Sequence, residues 1–207
     1  MNVIARGKMV RKTKEEAENT RREIMKAALD VFYQKGYSRT TFEDIAARIN
    51  LTKGAVYWHF KNKPDLLMEL LRERFEKRFE NEINVSTLEE LRQVMVNEAE
   101  RIQNDEEERK FLFFAMFQME WSEAMVNKLH ETIQGVRDFP IQRMKKALAN
   151  IKNNGHLKDN INIDELSLLF LHLWKGALSD GIVCKNGTNF AKMIAKSMDL
   201  VISGIKK

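Results

Sequence analysis

The chain has 207 residues with two prolines, nine glycines, one cysteine and four histidines, and it carries a formal charge of +5. One cysteine excludes an internal disulfide framework and no paired Cys/His spacing suits zinc, so the composition points to a reducing cytosol, with no metal and no cofactor. No eighteen apolar residues run uninterrupted and MNVIARGKMVRKTK holds no apolar stretch, so neither a membrane span nor a secretory leader is expected.

At this length a core can be buried without staples. Abundant Ala, Leu, Met, Glu, Lys and Arg with few Gly and Pro is the usage of an all-α protein. The charge is uneven: residues 1–63 hold 14 Lys and Arg against 7 acidic residues, whereas residues 64–207 hold 21 against 23. The first third is therefore the part that faces a polyanion.

Residues 1 to about 12 are basic without apolar period, and Arg6, Lys8, Arg11 and Lys12 form either an arm for a phosphate backbone or a solubilising tail. A first helix opens on a capping box at Thr13 and Glu16, aligns Ile24, Ala27, Ala28, Val31 and Phe32, and ends at Gly36. A second box, Thr40 to Glu43, opens a short helix with the stripe Phe42, Ile45, Ala46 and Ile49. After a break at Asn50 and Leu51, Thr52 caps a third helix over about 53–59. Two short helices joined by a tight turn behind a longer one make a helix-turn-helix.

From Pro64 the helices lengthen, over about 64–83 and, after caps at Ser86 and Thr87, about 87–104. The run NDEEER reads as a solvated turn or a first helical turn. A Met/Phe-rich segment at 109–121 precedes one long helix to about Asn153, and the last two helices span about 163–183 and 188–205 around the turn KNGT. The expected division is a basic arm with a helix-turn-helix DNA-binding domain, 1–63, and a helical effector-binding and dimerisation domain, 64–207.

The stretch LTKGAVYWHFKNK sets three large rings side by side, which no single core can bury. On a helical wheel Val56 and Phe60 face the preceding helices and Gly54, Ala55 and Trp58 lie opposite. Tyr57 and Lys53 flank one edge of that surface and His59 the other. Small residues let a helix approach the floor of a major groove, Ala55 can touch a thymine methyl, and Lys53 is the long base-reading side chain. Tyr57 and His59 can hydrogen-bond phosphate oxygens, Thr41 and Thr52 can donate to phosphates from helix amino termini, Lys63 supplies charge, and Trp58 suits sugar or base methyls. The alternative is that Tyr57 and Trp58 pack on the first and fourth helices.

RTTFEDIAARINLTKGAVYWHFKNKPDLL resembles the amino-terminal DNA-binding domain of the TetR family of bacterial transcriptional regulators. RKTKEEAENTRREIMKAALDVFYQKGYSRTT is similar to the branch of the multidrug-efflux repressors AcrR and TtgR. The resemblance covers about residues 8–70 and implies a homodimer whose last two helices form a four-helix interface. It also implies an effector cavity in the larger domain and a pendulum-like shift of the fourth helix, which alters the spacing of two reading heads on an inverted repeat in double-stranded DNA. Thr41, Thr52, Lys53, Gly54, Tyr57, Trp58, His59 and Lys63 fall on positions that touch DNA in the family, whereas Ala55 stands where many members carry Ser or Thr. Two heads read such a repeat when about 34 Å apart, and an effector preferring the wrongly spaced state releases DNA by population shift. The implied function is repression of an efflux or stress-response operon, relieved by a small lipophilic ligand; the alternative is a ligand-free regulator controlled by a protein partner.

In the larger domain FLFFAMFQMEW offers Phe113, Met116, Phe117 and Glu120, a soft surface that lines either an adaptable pocket or a plain core. Glu120 would complement a cationic ligand or close a salt bridge. Met144, Phe170 and Trp174 are further ligand candidates, and His172, with Lys175 and Ser179 along the same helix, faces solvent or the cavity. Phe190, Ile194, Met198, Val201 and Ile205 form a stripe over the last helix, the expected dimer face. Cys184 and His172 lack the partners a catalytic set requires, so no enzyme is expected.

Overall fold

A computed structural model of the chain describes residues 14–79, 82–119, 122–132, 139–183 and 189–207. Ten α-helices occupy these described residues. Their contacts divide the chain into two units, with the division between Leu66 and Leu67, inside α4 (Lys63–Phe79).

The first unit is built on α1 (Lys14–Lys35), α2 (Phe42–Arg48) and α3 (Lys53–His59). Helix α1 buries the expected stripe of Ile24, Ala27, Ala28, Val31 and Phe32. It ends where Gly36 takes a φ of +79°, a left-handed conformation that only glycine adopts at little cost. The box expected at Thr13 lies outside the described residues. The α2 box sits one residue later than Thr40 to Glu43. Thr41 is the cap: its hydroxyl accepts from the Asp44 N–H at 3.2 Å and its own N–H donates to the Asp44 carboxylate at 3.0 Å. Thr40 is drawn the other way, its buried hydroxyl donating to the Gly36 carbonyl at 2.8 Å, so it closes α1 rather than opening α2. Phe42, Ile45 and Ala46 are buried and Ile49 is half-buried. Asn50 then enters the left-handed region at φ 54°, reversing the chain into α3, which Thr52 caps by accepting from the Ala55 N–H at 3.2 Å.

The second unit continues from α4 into α5 (Leu88–Asn104), α6 (Glu106–Phe113), α7 (Glu123–Thr132), α8 (Phe139–Asn153), α9 (Ile163–Val183) and α10 (Phe190–Ile205). Helix α10 packs on α5 and α9, and α9 also packs on α8 and α6. Thr87 caps α5 as expected, accepting from the Glu90 N–H at 3.2 Å. NDEEER does more than connect: Asp105 caps α6, and Glu108 is buried with Arg78 hydrogen-bonded to it. Guanidinium nitrogens of Arg74 and Arg101 stand 3.8 and 3.9 Å from the Glu108 carboxylate. A buried carboxylate persists only with such compensation. The α-helix over the Met/Phe segment stops at Phe113 and continues as a π-helical stretch, Phe114–Gln118. The single long helix expected up to Asn153 is instead two, α7 and α8, with Pro140 in the first turn of α8 where a missing N–H costs nothing. The KNGT turn lies outside the described residues. Although no eighteen of its residues run apolar without interruption, α9 is long and apolar enough to cross a membrane by composition; here it lies against α6, α8 and α10.

Lys35, donating to the Asp44 carboxylate at 2.5 Å, and the Thr41 donors hold that carboxyl down at about 2. A carboxyl depressed by folding contributes stability above its ordinary value of 3.8 and loses it as pH falls toward about 2. Asp44→Asn should therefore lower the thermal midpoint at neutral pH and remove part of its decline between pH ~4 and ~2, read from circular-dichroism melts. An acid profile identical to that of the parent chain would exclude this capping role.

Candidate nucleic-acid interface

Helix α3 is amphipathic in an unusual sense. Val56 within it and Phe60 at its end are sealed in the core, at 0% and 1% exposure, whereas Tyr57 and Trp58 are 52% and 71% exposed. Burying a large apolar side chain is worth about 1.5–3 kcal/mol, so an indole left in water is a surface held open at a cost. Gly54 is exposed, and Ala55 and His59 are half-buried. A Cβ at Gly54 would meet nothing nearer than the Thr52 hydroxyl at 3.8 Å, so the fold makes no demand for glycine there. Both readings of Tyr57 hold in part: its ring stands edge-on to Phe42 at 4.9 Å, yet half of the residue is outside. Trp58 meets His59 edge-on at 4.5 Å.

The polar residues are arranged less simply. Lys53 is exposed, and its ammonium forms an ion pair with Glu43 of α2, which raises the lysine and lowers the carboxyl from their ordinary values. The Thr41 hydroxyl donates to the Asp44 carboxylate at 2.9 Å, so its proton is committed within the cap. Thr52, an acceptor in its own cap, keeps its O–H as a donor.

Lys63 departs from the expectation of a phosphate contact. Its ammonium donates to the carbonyls of Tyr37, Ser38 and Thr40 at 2.8, 3.1 and 2.9 Å, which uses all three of its protons. It also stands 4.5 Å from the Tyr37 ring centroid, and burial pulls it below the ordinary lysine value. The reason is local: the turn after α1 exposes carbonyls with no helical partner, and a cation at the first residue of α4 satisfies them.

In the second unit Met116 and Phe117 are exposed on the π-helical stretch and Phe113 is half-buried, with the Phe113 and Phe117 rings 5.5 Å apart. Met144 and Phe170, expected to touch ligand, are buried in the core, and Trp174 leans edge-on against Phe190 at 5.3 Å. His172 is exposed. Glu120 and Cys184 lie outside the described residues. The expected dimer stripe is corrected most: Phe190, Ile194, Met198 and Ile205 are buried within the chain, and Val201 is half-buried. The strongest stripe on α10 covers α5 and α9 of its own fold, and the apolar residue left outside is Leu200, at 76% exposure. Sequence reasoning missed Leu200, Leu168 and Leu169, whose one signal is that they are leucines off the buried stripe. It placed Glu43 in a capping box and missed its pairing with Lys53. Lys63→Met should lower the thermal midpoint while leaving the slope of log affinity against log salt unchanged in DNA titrations, because a lost phosphate contact would flatten that slope by about 0.9.

Residues 24–70 match the model described as "Bacterial regulatory proteins, tetR family". The chain is similar to the transcriptional regulator TtgR of Pseudomonas putida, 27% identical over 92% of this chain and 93% of that one. With AcrR of Shigella flexneri it is 50% identical over 62 residues, 30% of this chain and 29% of that one. The structure of SmeT, the repressor of the Stenotrophomonas maltophilia multidrug efflux pump SmeDEF, matches with a TM-score of 0.73 at 26% identity, covering 92% of both chains. SmeT has also been solved in complex with triclosan. The family match runs from within α1 into α4 and so contains the exposed face of α3. The likeness to whole transcription regulators extends over both units, and residues 24–70 of this helical chain are similar to the tetR family of bacterial regulatory proteins.

Proposed function

We propose that this chain is a cytoplasmic, homodimeric repressor of an efflux or stress-response operon, reading an inverted repeat with α3 of each copy and released by a small lipophilic ligand. The observation that carries the reading is the outer face of α3, where Trp58 and Tyr57 stand exposed beside a Gly54 that the fold itself does not need. A glycine without internal purpose on a helix tip is what close approach to a groove floor requires. Residues up to 63 then serve as the DNA-binding domain and the rest as the effector and dimerisation domain. Thr52, Ala55 and His59 line the same face, with Lys53 as its long cationic side chain.

A second copy suits the apolar residues that the chain does not cover for itself: Leu168, Leu169 and Val183 on α9 and Leu200 on α10. Exposed His172 and Gly176 lie on the same side of α9 and belong to this surface rather than to a ligand pocket. For the effector, Phe113, Met116 and Phe117 are the accessible soft residues, and π-helical turns recur at functional sites because they break regular packing. The likeness to multidrug-pump repressors, one of them solved with triclosan, supports a lipophilic ligand. Helix α4 starts at Lys63 in the reading unit and continues beyond Leu66 into the second, so the chain itself offers a route for coupling. The ligand acts by its differential affinity for two states, as DNA does in reverse.

Gly54→Leu tests the carrying observation. Helix propensity favours leucine over glycine by about 0.5–1 kcal/mol, so the variant should melt no lower than the parent while losing duplex binding in a gel-shift titration; retained binding would remove α3 from the groove. For assembly, light scattering should give about twice the 24.3 kDa chain mass, and Leu200→Glu should shift the protein toward the single-chain mass.

A further inference from the structure

The ion pair between Lys53 and Glu43 joins the first residue of α3 to the second residue of α2. Both side chains are exposed, 47% and 57%, and both helices pack together in the first unit. An exposed pair of this kind contributes little to stability, and although an acid suits the first turn of α2, that preference does not call for a lysine held beside the carboxylate. Against DNA it is a liability by itself, because it adds a negative charge to a face that must approach phosphates. The liability disappears if the carboxylate meets a hydrogen-bond donor. In the major groove a G·C pair presents, in sequence across its edge, the guanine N7 and O6 acceptors and then the cytosine N4 amino donor. An ammonium and a carboxylate held side by side are the complement of that order. An A·T pair interrupts its two acceptors with the adenine N6 donor, and offers the thymine methyl where the cytosine carries hydrogen.

We propose that Glu43 is a specificity-determining residue and that the Lys53–Glu43 pair reads one G·C base pair in each half-site as a unit, Lys53 donating to guanine and Glu43 accepting from the cytosine amino group. The inference rests on the reading above that α3 enters the major groove. It assigns Glu43 a second task as well: by occupying Lys53 when no matching base pair is present, it weakens attachment to arbitrary sequence. Without the carboxylate, the ammonium is released to any phosphate within reach.

The test is selection from a pool of randomised duplexes by the full-length protein, followed by titration of the selected duplex and a scrambled one of equal composition. The parent chain should demand G·C at one position per half-site, with about tenfold discrimination against A·T there. Glu43→Ala and Lys53→Ala should each relax that same position to within about threefold while leaving the rest of the motif intact. Glu43→Gln, which keeps the shape of the side chain, should bind the scrambled duplex more tightly and with a salt slope steeper by about 0.9. A purely structural pair would change the melting midpoint and leave the motif and slope alone. If the parent enriches a motif and both Glu43 variants enrich the same one with the same slope, this proposal fails by itself. If the parent enriches no motif, the groove reading fails and takes the proposal with it.

Discussion

A helix of seven residues has too few internal hydrogen bonds to exist alone, so α3 depends on its attachment through Val56 and Phe60. Both are sealed, and the Arg21 guanidinium of α1 lies over the Phe60 ring at 4.6 Å. Because the two anchors are four residues apart, they occupy one edge of the helix and, apart from the partial packing of Tyr57 on Phe42, leave its outer face undetermined by the core. That freedom permits Gly54, Tyr57 and Trp58 to be chosen for what lies outside the protein. Had the anchors been spread around the helix, the rings would have been drawn inward and no reading face would remain.

The basic surplus of the first third is a poor guide to what faces DNA, because several of its cations are already occupied. Lys35 pairs with Asp44, Arg48 stands 3.4 Å from Asp30, Lys53 pairs with Glu43, and Lys63 satisfies three carbonyls. These contacts tie up the cations beside an apolar core of Phe42, Ile45, Ala46, Val56 and Phe60, which holds the short helices together. Net charge therefore steers the head toward a polyanion over distances near the screening length of about 10 Å. On the proposed reading, orientation at contact is set by the rings, the caps and the small residues.

Local order was legible in the sequence wherever a single periodicity determined it. The α1 stripe, the Gly36 stop, the Thr52 and Thr87 caps and the split between Val56 and Trp58 all follow from spacing within one helix. Legibility ended where two assignments fitted the same residues. Thr40 and Thr41 each have an acidic residue three positions on, and the choice fell to Thr41 because Thr40 is claimed by the Gly36 carbonyl across the turn. The α10 stripe was read correctly as apolar and wrongly as external, since periodicity says that a face is covered but not by which partner. Lys63 and Glu43 were opaque for the same reason: their partners are 23 and 10 positions away in sequence, and no pattern within one helix encodes them.

Helix α4 shows why polar attachment suits a regulator. At its first residue Lys63 is bound to the turn after α1, and in the second unit Arg74 and Arg78 are bound to Glu107 and Glu108 of α6. Apolar contacts tolerate sliding, because burial is nearly indifferent to orientation. Buried ion pairs do not: a partly broken pair leaves an uncompensated charge costing several kcal/mol, so intermediate positions are disfavoured. On the proposed reading, a helix fixed in this way would pass between discrete arrangements rather than drift, and a ligand would bias one arrangement by its differential affinity alone.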